Sequence, residues 1–331
     1  MATVLVTGAA GFVGTHLLRA LTANDPTGTL VAWRRPLQDQ GADGPRPRDT
    51  PSSSSSGDAG AIDWRDVDML DRSHVTRAIA RLAPEQIYHC AGAANVRGSW
   101  TKTTVPLETN IRGTQYLLEA IAESGRSSRI LIPGSALVYK PSTQAIAEDA
   151  PIGPVSPYGI SKLAQEMLGR RCADEGLAVV VTRSFTHLGP GQSVSYAASS
   201  FAHQVASIEA GLRPPVIDVG SLDARRDLTD VRDTVQAYIA LMSSGQPGRP
   251  YNVCSGESHR IGDLLEGLIR HANVDVAVRT DPTRLRPRDN DVLLGDRSRV
   301  TSEIGWRPRI PLETTLSDLL NYWRQAIRTQ T

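Results

Sequence analysis

Cysteine is scarce in this chain. Cys90, Cys172 and Cys254 are the only three, and they lie far apart. Their spacing fits neither CxxC nor a metal-ligand pattern, and an odd number argues against a disulfide framework, so no metal and a reducing, cytoplasmic setting are expected. An excess of one charge is missing too: 36 basic residues against 35 acidic leave a net charge of +1. That balance gives no support to nucleic-acid binding or to a basic membrane-binding surface. No apolar run approaches the roughly 20 residues that span a bilayer. The first residues show no basic region followed by a long apolar stretch, so no secretory leader is expected. There is no internal repeat. What is present is 331 residues, 40% apolar and 21% charged. That is the composition of a soluble globule, long enough for a large lobe and a smaller partner.

The chain alternates. Thr3–Thr7 is a β-branched run, followed at once by glycines, and Phe12–Ala23 has helical spacing with Val13, Leu17, Leu18 and Leu21 on one side. Leu30–Trp33 reads as a second strand. From about 36 to 60 the chain is rich in Pro, Gly, Asp and Ser, including Ser52–Ser56. Such a stretch cannot bury enough apolar surface to offset its ordering entropy, and it reads as a disordered insertion. Beyond it, helices around 73–82, 106–124 and 157–174 precede strands at 86–90, 129–133 and 178–183. This alternation predicts an α/β fold, a parallel doubly wound sheet with helices on both faces. Residues 1–183, with returning segments of about 215–255, are expected to form that domain. The remaining segments of 184–331 are expected to form a smaller α/β lobe.

Gly8, Gly11 and Gly14 close the first strand and open the first helix. Gly8 permits a tight turn, Gly11 lets a pyrophosphate approach, and Gly14 lets the helix sit close. The phosphates would rest on unpaired N–H groups at the helix start, those of Phe12 and Val13. The spacing is GxxGxxG, and its position at residue 7, between a strand and an amphipathic helix, favours a dinucleotide site over a plain turn. The second strand ends in Trp33-Arg34-Arg35, with no acid until Asp39. Guanidinium groups suit a 2′-phosphate, so NADP(H) is expected over NAD(H). The alternative is that Arg34 and Arg35 are solvated surface charges. Asp68 and Met69 are positioned to contact the adenine, or serve only as part of a helix cap.

Tyr158 and Lys162 have YxxxK spacing near a helix start, which places both on one face, where both can point at a bound cofactor. A lysine there is expected to lower the phenol's pKa and suit it to general acid catalysis. The strand before it ends in Gly134-Ser135, 23 residues ahead of Tyr158, and that hydroxyl is placed to hold a substrate oxygen.

The glycine turn, Cys90-Ala91-Gly92, Asn110, Ser135, Tyr158 and Lys162 together resemble the extended short-chain dehydrogenase/reductases that act on nucleotide sugars. The resemblance covers the chain outside the 36–60 insertion. The segment Arg183-Ser184-Phe185-Thr186-His187-Leu188-Gly189-Pro190-Gly191-Gln192 and the segment Ala224–Asp233 narrow it to the branch of GDP-mannose dehydratases and GDP-4-keto-6-deoxymannose reductases. So do Tyr251–Gly256 and Asp281-Pro282 with Arg284-Leu285-Arg286-Pro287. By that resemblance Cys90, Ala91 and Gly92 line the cofactor, Arg226 and Arg286 clamp the diphosphate, and Thr186, where the family has asparagine, meets the sugar. Structural ion pairs with acids such as Asp227 or Asp289 are the alternative for the two arginines. The dehydratases carry a catalytic glutamate two residues after the hydroxyl. Here Leu137 stands there, and leucine exchanges no proton. The resemblance therefore implies NADPH-dependent reduction of the C4 ketone of a GDP-4-keto-6-deoxy sugar, giving GDP-D-rhamnose or a close relative. A 4-epimerase, a 4,6-dehydratase with another acid, and a non-catalytic NADP-binding scaffold are the rivals. The resemblance also implies a homodimer through a four-helix bundle of helices 106–124 and 157–174. Lys140, where the family has glycine, has no reading.

Overall fold

The computed structural model describes residues 2–36, 62–96, 98–284 and 291–329. Apart from Pro36, the expected disordered insertion lies outside the described residues, as does Arg286.

The apolar runs become a seven-stranded sheet in the order β10-β6-β5-β4-β1-β2-β3, parallel throughout. Its strands are β1 (Thr3–Thr7), β2 (Thr29–Arg34), β3 (Asp63–Asp66), β4 (Gln86–His89), β5 (Arg129–Pro133), β6 (Ala178–Ser184) and β10 (Pro250–Val253). Neighbouring residues point to opposite faces, so adjacent apolar residues serve two cores. Leu5, Val31, Ile87, Ile130 and Val179 enter one core, and Val6, Ala32, Tyr88, Leu131 and Val180 the other. The first core is closed by α2 (Arg72–Leu82), α3 (Gly113–Ser124) and α4 (Pro157–Asp174). The second is closed by α1 (Phe12–Asn24), α6 (Val231–Ser244) and α8 (Ser298–Ile304), with Trp306. The strand β3 has no counterpart in the sequence reading. Its residues Asp-Trp-Arg-Asp carry no alternation, and it forms through backbone pairing with β2 at the sheet edge.

Helix starts follow side-chain chemistry. Asp71 accepts from His74 N at 2.9 Å to cap α2. Ser156 accepts from Gly159 N at 3.0 Å, with Pro157 as the first residue of α4. Such caps are worth about 1 kcal/mol each. The helix expected from residue 106 begins differently. Leu107–Arg112 is π-helical and runs into α3 at Gly113. A π turn widens the helix by one residue, which sets Asn110 apart from a regular register.

The smaller lobe is built on α5 (Ala197–Glu209), α7 (Ile261–Arg270) and α9 (Leu312–Arg328), with a core of Phe201, Val205, Leu264, Leu268, Leu316 and Leu320. Its strands are β7 (Thr186–Leu188), β8 (Val216–Val219), β9 (Arg225–Asp230), β11 (Ser258–Arg260), β12 (Ala277–Thr280) and β13 (Val292–Leu293). In it β9 lies between β11 and β13 and also pairs with β7, while β12 pairs with β8. Within 215–255, α6 packs on the large sheet and β10 joins it, while β8 pairs with β12 and β9 with β7, β11 and β13. A second return, through α8 and Trp306, covers the same face.

Candidate active site

The carboxyl ends of β1, β4 and β5 meet at one crevice, where ligands bind in such sheets. At β1 the chain turns through Gly8, whose φ is +63°. A Cβ on Gly8 would stand 2.5 Å from the backbone nitrogen of Ala91. Only glycine lets the turn and the Cys90–Gly92 segment come together. Gly11 is the N-cap of α1 and makes no side-chain cap bond. The first N–H groups of α1, including those of Phe12 and Val13, have no partner within the helix and suit an anion. A Cβ on Gly92 would stand 2.8 Å from Asn110 Oδ1. Asn110 accepts from Ala93 N at 2.8 Å and donates to Ala93 O at 3.2 Å and Ser161 Oγ at 2.9 Å. It thereby fastens the loop after β4 to α4. The uncapped helix, the tight glycine and this loop form a cradle that fits a dinucleotide pyrophosphate.

Arg34, at the end of β2, donates from Nε to Asp66 at 2.7 Å, and its guanidinium lies 5.6 Å from the Trp64 ring centroid. Neither partner was legible, because both stand on the unrecognised β3. Arg35 is exposed. Asp68 accepts from Leu70 N at 2.9 Å, and Met69 is buried beside Gly113. Asp71 is the helix cap in this segment.

Ser135 caps the short turn Ala136–Val138, accepting from Leu137 N at 3.2 Å. Its hydroxyl faces the phenol of Tyr158. Burial raises the Tyr158 pKa above the usual phenol range, with Tyr196 adding to it and Ser135 opposing it. This corrects the expectation that Lys162 would lower it. The Lys162 ammonium is turned elsewhere, to Pro133 O at 2.6 Å and to Gln165 Oε1. Burial lowers the lysine to about 8. Tyr158 thus stays a neutral phenol, the form that can donate a proton. Leu137, half-buried, leaves no carboxylate at its position.

Tyr196, at the start of α5, was missed by sequence reasoning. Its hydroxyl donates to Ala94 O at 3.0 Å, so the smaller lobe reaches across the crevice beside Tyr158. A second bridge is His16 Nε2, which donates to Pro190 O at 2.8 Å, with Phe12 stacked on His187 at 6.0 Å. Thr186 is half-buried at the start of β7, opposite Leu228. Arg226 lies on β9 and donates to Arg225 O at 2.9 Å. Asp227, offered as its ion-pair partner, is buried and accepts instead from Ser255 N, Ser255 Oγ, Gly256 N and Gly295 N.

Residues 5–319 match the family model described as GDP-mannose 4,6 dehydratase. The GDP-6-deoxy-D-mannose reductase of Pseudomonas aeruginosa is 32% identical over 331 residues, covering 99% of each chain. The structure of RMD from Pseudomonas aeruginosa complexed with NADPH has a TM-score of 0.81 at 30% identity, over 98% of this chain and 100% of that one. The UDP-glucose 4-epimerase of Thermus thermophilus, in complex with NAD, has a TM-score of 0.82 at 25% identity, over 98% and 99%.

Proposed function

Since this chain belongs to the GDP-mannose 4,6 dehydratase family, we propose that it is the NADPH-dependent oxidoreductase of that family that reduces the C4 ketone of a GDP-4-keto-6-deoxy sugar, giving GDP-D-rhamnose or a close relative. One observation carries the choice of reduction over dehydration: Leu137 stands two residues from Ser135, where the dehydratases need an acid. A ketone reduction needs only a hydride and a proton.

The residues divide the work. Gly8, Gly11, Phe12, Val13 and the Cys90–Gly92 loop would hold NADPH, which when bound supplies the hydride. Ser135 hydrogen-bonds the C4 oxygen. Tyr158 donates the proton to that oxygen as it gains charge. Lys162 would hold the nicotinamide ribose once the cofactor is bound. Arg226, Arg286 and Thr186 would meet the sugar nucleotide's diphosphate and sugar. The test mixes purified protein with NADPH and GDP-4-keto-6-deoxymannose, follows the nicotinamide absorbance, and identifies the product by NMR. Consumption of NADPH with a GDP-D-rhamnose product is expected. Stoichiometric tightly bound NAD⁺ with no net NADPH loss would instead make the protein an epimerase.

Arg34, held by Asp66 and Trp64, and the neighbouring exposed Arg35 support the NADP preference. Each charge-assisted bond to a 2′-phosphate is worth about 1.5–3 kcal/mol. The double variant Arg34→Ala/Arg35→Ala is expected to weaken NADPH binding by roughly two orders of magnitude, with NADH affinity nearly constant. Equal loss for both cofactors would remove these residues from the 2′-phosphate site.

Ile160 and Met167, seven residues apart on α4, are exposed, as are Trp100 and Val105 on the segment leading into the π turn. We propose that a second copy covers this face, with α3 and α4 forming a four-helix bundle in a homodimer. Sedimentation should give a dimer for the wild type and a monomer for Ile160→Glu/Met167→Glu. A wild-type monomer would exclude it. Among the described residues no helix is long and apolar enough to cross a membrane. The three unpaired cysteines suit a reducing compartment, for which we propose the cytoplasm.

A further inference from the structure

Thr7, His89, Thr114 and Gln165 stand on β1, β4, α3 and α4, and all four are buried. Their side chains bond in a single line. Thr7 Oγ1 is 2.8 Å from His89 Nδ1. His89 Nε2 is 2.8 Å from Thr114 Oγ1. Gln165 Nε2 donates to Thr114 Oγ1 at 2.7 Å. The line ends where Lys162 donates to Gln165 Oε1. At the other end Thr7 Oγ1 accepts from Ala91 N at 3.2 Å, beside the glycine turn.

The geometry fixes which end of the Gln165 amide faces the lysine. Lys162 is a donor only, so the amide NH₂ cannot face it and the carbonyl oxygen must. The NH₂ then needs an acceptor, and Thr114 supplies one. Thr114 is held by His89, whose ring stays neutral because burial lowers it to about 3. Among the described residues no carboxylate bonds the ammonium. Its acceptors are two carbonyl oxygens, of Pro133 and Gln165. Among the described residues the titratable groups facing it are Cys90 and His89 at the end of β4; Tyr158 stands one turn earlier on its own helix. Glu166, next to Gln165, is bonded to Arg183 instead.

We propose that Gln165 is a positioning residue: its carbonyl oxygen keeps the Lys162 ammonium charged and aimed, and the line from Thr7 through His89 and Thr114 sets its orientation. The proposal rests on the reading of Lys162 as a cofactor and catalytic residue. Burial alone pushes the lysine towards its neutral form. A fixed amide dipole opposes this without the full charge of an acid, so the lysine titrates near neutrality.

The test needs no sugar. NADPH affinity is followed against pH by nicotinamide fluorescence in the wild type and in Lys162→Met, Gln165→Glu, Gln165→Met and Thr114→Val. Wild-type affinity is expected to fall as pH rises through about 8, and Lys162→Met to lack that break. Gln165→Glu should move the break up by about one unit or more, as a carboxylate beside an ammonium does. Gln165→Met should move it down, and Thr114→Val should move it the same way by less. If Gln165→Met does not fold, the near-isosteric Gln165→Glu decides. A break that stays in place in Gln165→Glu, or that survives in Lys162→Met, overturns the proposal. Turnover on the GDP-sugar is read separately, so the reduction can fail while the break still moves, and the reverse.

Discussion

Replacing Tyr158 by phenylalanine is expected to cut turnover roughly a thousandfold and leave NADPH affinity unchanged, since a positioned general acid contributes about 10²–10⁴. The substitution removes one oxygen and keeps the ring. Tyr158 sits at the start of α4, where the Ser156 cap and Pro157 fix the helix independently of the phenol. The fold and the glycine cradle should therefore survive. What is lost is the proton for the C4 oxygen. Because burial holds the phenol above its usual range, it stays protonated beyond the pH at which Lys162, at about 8, gives up its charge. An alkaline loss of wild-type reduction should then follow the lysine, not the tyrosine. Single-turnover kinetics with fluorescence titration separates chemistry from binding. A residual rate within tenfold of wild type would mean that the proton comes from another group, with Tyr196 the nearest alternative.

Arg183→Met is expected to destabilise the fold by about 3–5 kcal/mol, the usual cost of leaving a buried charge without its partner. Arg183, on β6, donates to both oxygens of Glu166 at 2.9 and 2.6 Å and to Glu148 O at 2.8 Å. Its guanidinium also lies 4.7 Å from the Tyr139 ring centroid. Arg183 is 3% exposed and Glu166 1%, so solvent cannot take over. Arg170, half exposed and 3.7 Å away, would be the only remaining cation on Glu166 among the described residues. Natural domains are stable by about 5–15 kcal/mol, so this loss is a large fraction of the whole. Removing both charges, in Arg183→Met/Glu166→Leu, should restore most of it, because a buried pair as such contributes little net. Denaturant midpoints measure both variants. A loss below about 1 kcal/mol in the single variant would show that Glu166 is protonated or rehydrated at little cost.

Features written along one element were legible in the sequence. Tyr158 and Lys162 are one helical turn apart, so their shared face follows from spacing, and the bounds of β5 and α4 come out as expected. The glycine turn was legible because a strand, three glycines and a helix follow each other without a gap. Contacts made between elements were not. Gln165 reads as any polar residue on a helix until Thr114 and His89 are brought to it from two other elements. The Lys162 charge was expected to act on Tyr158, yet two carbonyl groups draw it away, and one of them is backbone. Arg34 gave its charge in the sequence but not its restraint, since Asp66 and Trp64 stand on a strand without an apolar pattern. The smaller lobe was visible only as irregularity after Phe185, because its strands are short and pair out of chain order.

The seventh strand of the large sheet has a consequence for how the protein is made. On the ribosome, β1 to β6 emerge first, but α6 and β10 follow only after β7, α5, β8 and β9 of the smaller lobe. Until then β6 is an open edge, and Tyr88, Leu131 and Val180 lack the cover of Tyr238, Leu241 and Met242. An open apolar face of this kind invites association between nascent chains. A fragment ended after β6 would carry the whole glycine cradle, yet it should be sticky and poorly folded. The dinucleotide lobe begins first, yet its core is closed only when α8 and Trp306 arrive near the end of the chain.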